Sequence, residues 1–518
     1  MRDVTASDAC AWVLCAAAFA FGAWGLQVGW SHGILDVHAW RQTHTAISAY
    51  EMAVRDGPFW SYRTPIFGPP WRWPLELPLF QWLAAVASRT LPVDLDRAGR
   101  LISVAFYVLA FVPGWFALDL LDIRPRHRAI VLVLIWSSPL YIFWSRTFMI
   151  ESTATCLAVT YLALIDRATC GDGAAARRWP LGAAAGVGAL AGMVKVTAFA
   201  AFITAATALI VFRARRARWR RPTAVTTLVF AVAVPVAATG AWLAFADHLK
   251  AGSELASEVN WAGERDQRFG TLAERFTARA WYAAPANVVL GRTRHTVVAS
   301  GALFALALLG TLRRPRRFGA CAACVALYFL PIAIFIRLFN VHVYYSYENG
   351  LFLAVVAGCG IVTLLEGSLP LRAGGAALFA AMLAAMASNY LAGYYVDQES
   401  GSLAPITLSM LTRTLTAPDE VMLIYGLDYS PAVPYEAERR AIMDHRDRSI
   451  DDPAIAPALA RLADAGGRIG AIVACGASRG DEVVRANIGR LGFPVRPYYV
   501  EPYCDLYLRR DARRGASR

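Results

Sequence analysis

Apolar runs of about twenty residues recur through the first three quarters of this chain, and that is the length a helix needs to cross the hydrocarbon of a bilayer. Hydrocarbon offers no partner to a backbone amide, so such runs must satisfy their hydrogen bonds internally and fold as helices. Eleven are readable: Ala9–Trp30, Leu101–Leu121, Ala129–Ser145, Ser152–Ile165, Leu181–Val194, Thr197–Phe212, Thr223–Ala246, Thr296–Leu312, Phe318–Ile336, Asn349–Leu365 and Gly374–Ala392. Composition agrees, with 57% of the 518 residues apolar and 17% charged, where soluble domains carry about a quarter charged residues. An ordinary cytosolic enzyme is excluded. The expectation is an α-helical polytopic membrane protein of about eleven spans.

The formal net charge of +13 would ordinarily raise the question of nucleic acid. Here the arginines sit in short clusters between the apolar runs: Arg124, Arg126 and Arg128; Arg167, Arg177 and Arg178; Arg213 to Arg221; Arg313 to Arg317; and Arg372. These clusters fall in alternate loops, the pattern of the positive-inside rule, so no nucleic-acid partner is expected. With a cytoplasmic N-terminus all of them share one face, and the first run is too long for a signal peptide and reads as a retained span. The other face then holds the loop 31–100, the turns 146–151 and 337–348, the loop 247–295 and the tail. The expected location is the cell's inner (plasma) membrane.

The tail changes character. Val421–Tyr425 and Ile469–Ala474 read as buried strands, Pro453–Ala465 as an amphipathic helix and Tyr498–Leu508 as a strand pair. This divides the chain into a membrane domain, 1–395, with its outer loop 31–100, and a small extracytoplasmic α/β domain, 396–518. Cys475 and Cys504 are the only cysteines of that domain, in a compartment that permits a disulfide without requiring one. No phosphate loop, zinc motif or internal repeat stands out, and no metal or cofactor is expected.

Ionisable side chains near membrane depth are costly and need a role or an escape to water. Five segments on the outer face carry them. Asp36-Val-His38-Ala-Trp-Arg41-Gln-Thr-His-Thr places a carboxylate at the lip of the first span, either as a base for a hydroxyl or as a solvated loop acid. Glu76, in Trp71-Arg-Trp-Pro-Leu-Glu-Leu-Pro, lies between prolines and tryptophans and either binds substrate or pairs with Arg72. Ser145-Arg146-Thr-Phe-Met-Ile-Glu151 offers a planar fork suited to phosphate, or else an Arg146–Glu151 ion pair closing the turn. Lys195, one of only two lysines in the chain, either snorkels to the interface or meets a lipid phosphate. Arg337-Leu-Phe-Asn340-Val-His342-Val-Tyr344-Tyr345 gathers donors, acceptors and flat rings, which an aromatic belt alone does not explain.

With these segments the chain resembles the GT-C glycosyltransferases, in particular the dolichyl-phosphate-mannose-protein mannosyltransferase-like group (family 39) that includes bacterial aminoarabinose transferases. The resemblance runs over about residues 10–395 and rests on Asp36-Val-His-Ala-Trp-Arg-Gln, Glu76-Leu-Pro-Leu-Phe-Gln-Trp, Gly99-Arg-Leu-Ile-Ser, Ser145-Arg-Thr-Phe-Met-Ile-Glu, Met193-Val-Lys-Val-Thr and His342-Val-Tyr-Tyr. Many members carry Asp-Glu where this chain has Asp36-Val37. The resemblance implies a polyprenyl-phosphate sugar donor, a metal-independent inverting transfer and Asp36 as catalytic base. Lys195, Arg337 and Arg146 are then candidates for the donor phosphate. His38, Arg41, Glu76, Glu151, Asn340, His342, Tyr344 and Tyr345 are candidates for binding substrate, with a lipid, polysaccharide or protein as acceptor.

A phosphate-linked sugar already has an acidic leaving group, so transfer needs one base and no general acid, unlike glycoside hydrolysis. Polymerisation or ligation of lipid-linked polysaccharide would use the same face. A secondary transporter or flippase is the reading from another class, but transporters favour repeat symmetry and charges at mid-bilayer, whereas these polar groups gather at span ends.

Overall fold

The computed structural model describes residues 6–170, 174–260, 263–289, 296–400 and 406–509. It divides into two compact units, one of Met1–Trp30, Arg100–Trp242 and Arg265–Ser400, the other of Ser31–Gly99, Leu243–Glu264 and Gly401–Arg518. The loop 31–99 therefore groups with the tail, not with the spans.

All eleven apolar stretches contain helix. Several start with proline at the first or second position, as at Pro125, Pro139, Pro315 and Pro370, where the missing N–H costs nothing. Seven segments are long and apolar enough to cross a membrane: Cys10–Gln27, Leu95–Leu121, Val196–Arg216, Arg221–Lys250, Pro315–Ile334, Val343–Leu365 and Leu369–Ala392. The chain is a multi-pass membrane protein. The other four stretches differ for local reasons. The run at 129–145 breaks into Pro125–Ser137 and Pro139–Trp144, because Ser138 is extended ahead of Pro139. Gly301–Thr311 is short, and Glu151–Cys170 and Ala174–Val194 carry charged residues near their ends.

In the first unit the Ser346–Leu365 helix is the central one, buried along most of its length. Its small residues let neighbouring backbones close in. A Cβ on Gly360 would lie 1.9 Å from the Ala307 carbonyl oxygen, and one on Gly358 would lie 2.9 Å from the Val131 Cα.

The end of the Ala6–Gln27 helix shows how exposed carbonyls are satisfied. Arg100 donates to the carbonyls of Gly29 and Trp30, Arg146 to Gly29, and Gln398 to Gly25 and Val28. Cationic and amide donors at a helix C-terminus answer both the orphan acceptors and the dipole.

Beyond the far end of the central helix, Glu366 meets Arg317 at 2.8 Å, His127 at 3.4 Å, Arg314 at 3.7 Å and Arg124 at 3.9 Å. Arg213 likewise reaches Asp166 beside Arg167. The basic clusters thus meet in pairs around shared carboxylates. Burial works to raise the Glu366 pKa, but hydrogen bonds from His127 and Arg317 and the Arg317 charge outweigh it and hold the carboxyl at about 2.

The second unit is built on a five-stranded sheet of order β2-β1-β3-β5-β4, with β1 Val421–Tyr425, β2 Arg440–Asp444, β3 Ile469–Cys475, β4 Tyr499–Val500 and β5 Cys504–Leu508. The β1 strand pairs in parallel with β2 and β3, whereas β5 runs antiparallel to β3 and β4. The parallel strands are almost continuously apolar because both faces are buried. Sequence reading found β1, β3 and the terminal pair but not β2, whose Arg-Ala-Ile-Met-Asp is short and has charged ends. A disulfide joins Cys475 and Cys504 at one register position of β3 and β5. The outer edge of β2 is covered by residues 65–68, with Ala441 donating to Pro65 and Met443 to Ile66, which blunts an otherwise open edge.

Two outcomes follow. Replacing Gly360 with Val forces the central helix off the Gly301–Thr311 helix, so yield of folded protein and thermal midpoint in detergent should both fall. For Glu366, whose folded pKa lies below the unfolded value of about 4.3, stabilisation is present at neutral pH and lost as pH falls from about 4 toward 2. Glu366→Gln should therefore lower the unfolding midpoint at pH 7 and converge with wild type in acid.

Candidate active site

In the second unit, Asp36 lies just ahead of the Ala39–Val54 helix. His38 enters that helix with a left-handed φ of 57°. Gln42, one turn on, donates its amide to the Asp36 carboxylate and to the Val37 carbonyl, so the acid is oriented by its own helix.

Below it is a buried polar cluster. Arg41 donates to Glu76 at 3.0 Å and to His44 Nδ1 at 2.8 Å, and Gln81 donates to Glu76 at 2.8 Å. Glu76 thus pairs with Arg41, not with Arg72, which is exposed. Since Arg41 can only donate, His44 Nδ1 is the acceptor and Nε2 carries the proton. Burial, then the charges of Arg41 and Lys250, lower the His44 pKa well below its ordinary value and keep the ring neutral. Its Nε2 is buried without a hydrogen-bond partner among the described residues.

The first unit holds a second constellation. Lys195, in the break between the Ala174–Val194 and Val196–Arg216 helices, places its ammonium 2.9 Å from Glu151 and 2.7 Å from Glu348, with all three side chains buried. The ammonium also stands 4.9 Å from the Tyr345 ring centroid and 5.6 Å from that of Tyr344. Two readings from sequence change as a result. Lys195 does not snorkel, and Glu151 pairs with Lys195 and not with Arg146. Arg146 instead donates to the Gly29 carbonyl.

Charge in the cluster is uneven, one ammonium against two carboxylates. Among the described residues, the outer oxygens Glu151 Oε2 and Glu348 Oε2 are buried with no hydrogen-bond partner, as are Thr153 Oγ1, Ser346 Oγ and Asn349 Oδ1. Buried polar atoms left unanswered are uncommon, and those of Glu151 and Glu348 belong to side chains that share the Lys195 ammonium. Arg337 is 35% exposed and lies 3.6 Å from Glu274. Asn340 and His342 follow it, and the His342 ring stacks on Tyr344 at 5.3 Å. Lys195, Glu151, Tyr344 and Tyr345 are therefore brought together, while Arg337 is paired elsewhere. Glu348 and Ser346 were missed in sequence because they open an apolar helix whose partners lie far away in the chain. Among the described residues no three His, Cys, Asp or Glu side chains converge with metal-ligand spacing.

No protein-family profile and no curated protein sequence matches the chain. Solved structures do. ArnT from Cupriavidus metallidurans bound to undecaprenyl phosphate is similar at 12% identity and a TM-score of 0.59, over 96% of this chain and 97% of that one. The apo form of the same ArnT gives 0.57 at 10% identity. The Archaeoglobus fulgidus oligosaccharyltransferase complex with Zn and sulfate gives 0.53 at 13% identity, over 89% of this chain and 68% of that one. The chain has the GT-C fold. This agrees with the resemblance carried by Asp36, Glu76 and the segments around Lys195 and His342.

Within the GT-C bundle the lysine cluster makes a sharp prediction. Removing the cation alone, in Lys195→Met, leaves two buried carboxylates unneutralised and should destabilise by about 3–5 kcal/mol. Adding Glu348→Gln to that variant should restore part of the loss, as followed by unfolding in detergent. Equal stability of Lys195→Met and wild type would show that the cluster is not closed.

Proposed function

We propose that this protein is an integral-membrane inverting glycosyltransferase that moves a sugar from a polyprenyl phosphate to an acceptor on the extracytoplasmic face. The observation carrying this reading is the near full-length similarity to ArnT, whose structure holds undecaprenyl phosphate. Asp36, oriented by Gln42 at the start of a helix, adds the group the chemistry needs.

The proposed step is as follows. An acceptor hydroxyl attacks the anomeric carbon from the face opposite the phosphate. The carbon–oxygen bond to the phosphate breaks, the electron pair leaves with the polyprenyl phosphate, and the hydroxyl proton passes to Asp36. A phosphate monoester is a competent leaving group unassisted by an acid, so the remaining need is cationic stabilisation of its charge. Arg337, Lys195 and Arg146 are the cations proposed for that role. Arg337 is the least committed of them, since Lys195 already holds two carboxylates and Arg146 a helix end. Glu76 and Arg41, with His38, are assigned to the acceptor side, and Glu151, Asn340, His342, Tyr344 and Tyr345 to the donor headgroup. The Cys475–Cys504 bridge supports an extracytoplasmic tail, because such bonds persist in oxidising compartments.

The test is transfer from a radiolabelled undecaprenyl-phosphate sugar by the protein in vesicles. Asp36→Asn keeps the size and the bond from Gln42 but cannot take a proton, so the rate should fall by about 10²–10⁴-fold with unfolding unchanged. An unaltered rate removes Asp36 as base. Absence of transfer from every donor, with lipid crossing the bilayer, would favour a flippase.

A further inference from the structure

The second unit holds a group of side chains that the proposed transfer does not use. Its sheet changes winding direction at β1. The chain leaves β1 to form β2 on one side, then returns past β1 to form β3 on the other. In open α/β sheets the crevice beyond the carboxyl ends of strands at such a point is where ligands bind. Here the loops after β1 and β3 meet closely, since a Cβ on Gly426, at φ 78°, would lie 2.2 Å from the Cys475 carbonyl oxygen. The disulfide from Cys475 to Cys504 fixes the same end of the sheet.

The side chains gathered there are charge-balanced. Arg448 donates through Nη2 to Glu258 at 2.7 Å and sits 3.5 Å from Asp444, while Arg446 approaches Glu258 at 3.9 Å. The Arg448 side chain is only 9% exposed, yet its Nη1 has no hydrogen-bond partner among the described residues. A buried guanidinium nitrogen left unanswered is costly, and an oxygen acceptor would answer it.

A second donor ends in the same place. Arg446 Nε donates to His445 Nε2 at 3.2 Å, so the ring proton is on Nδ1 and is donated to the Tyr429 hydroxyl oxygen. The hydroxyl proton of Tyr429 is then left for a guest. Asp428, Tyr429 and Asp447, in the loops after β1 and β2, all take left-handed backbone angles that such residues adopt rarely.

We propose that the carboxyl edge of β1, β2 and β3 is a saccharide-binding site, with Arg448 and Tyr429 donating to sugar oxygens. The charge balance selects the class. Arg446 and Arg448 are already matched by Asp444 and Glu258, and Asp428 and Asp447 add further negative charge, so an anion such as a nucleotide or free phosphate gains nothing. A neutral polyol needs what is present: directed donors and carboxylate acceptors. This inference stands apart from the transferase reading, since no residue of the proposed transfer takes part.

The test uses the full chain in nanodiscs on an array of immobilised bacterial oligosaccharides, read alongside thermal unfolding. Wild type and Asp36→Asn should be retained by the same sugars, whereas Tyr429→Phe and Arg448→Lys should weaken retention about five- to tenfold with unfolding unchanged in Tyr429→Phe. Millimolar inorganic phosphate should not compete. Retention by no sugar, equal retention by Tyr429→Phe and wild type, or displacement by phosphate would each overturn the proposal.

Discussion

One ammonium held between two carboxylates, with all three side chains buried, is the interaction on which the membrane bundle turns. Glu151 opens one helix, Lys195 precedes another and Glu348 lies in the first turn of the central one, so a single cation ties three helices at one level. Desolvating three charges is expensive, and their mutual attraction recovers it only with close geometry. Bundles under no other demand would use leucine here. Retaining an unbalanced triad, with two carboxylate oxygens and neighbouring hydroxyls unanswered among the described residues, costs stability. That is the trade a site makes and a plain scaffold does not.

The central helix also explains why the two ends of the bundle differ. Glu348 and Glu366 are separated by eighteen residues, about 27 Å at the helical rise. At one end a carboxylate excess surrounds one lysine. At the other, Glu366 is outnumbered by Arg317, Arg314, Arg124 and His127. The arginine clusters of separate loops thus gather around one carboxylate, at the end of the central helix opposite the Lys195 cluster.

The spans were legible because hydrocarbon imposes one period and one length on any sequence that crosses it. The breaks within them were less so: Pro139 splits a run whose composition is uniformly apolar. Which polar residues are buried and paired was partly legible, since Glu76, Glu151 and Lys195 stand out against their surroundings. Whom they pair with was not. Arg72 lies four residues from Glu76, yet Arg41 takes it, and Lys195 finds Glu348 across 153 residues. Local spacing carries no information about such pairs, because tertiary packing and not chain proximity decides which charge is desolvated beside which. Strand β2 escaped for a related reason: Arg440 and Asp444 look like loop residues until their partners, Glu51 and Arg448, are in place.

The grouping of the loop 31–99 with the tail gives the proposed base a firm footing. A loop of this length with seven prolines would by itself hold Asp36 loosely. Instead the Ala39–Val54 helix is bound through Glu51 to Arg440 of β2, residues 65–68 extend the sheet, and Glu254 and Glu258 of a third segment are clasped by Arg461 and Arg448. Single surface ion pairs contribute little, but the Glu51 carboxylate is almost wholly buried and answers three arginines, Arg55, Arg63 and Arg440. The sheet therefore acts as the rigid element on which the loop is mounted, and the orientation of Asp36 is set by the packing of a domain whose own strands lie some four hundred residues further along the chain.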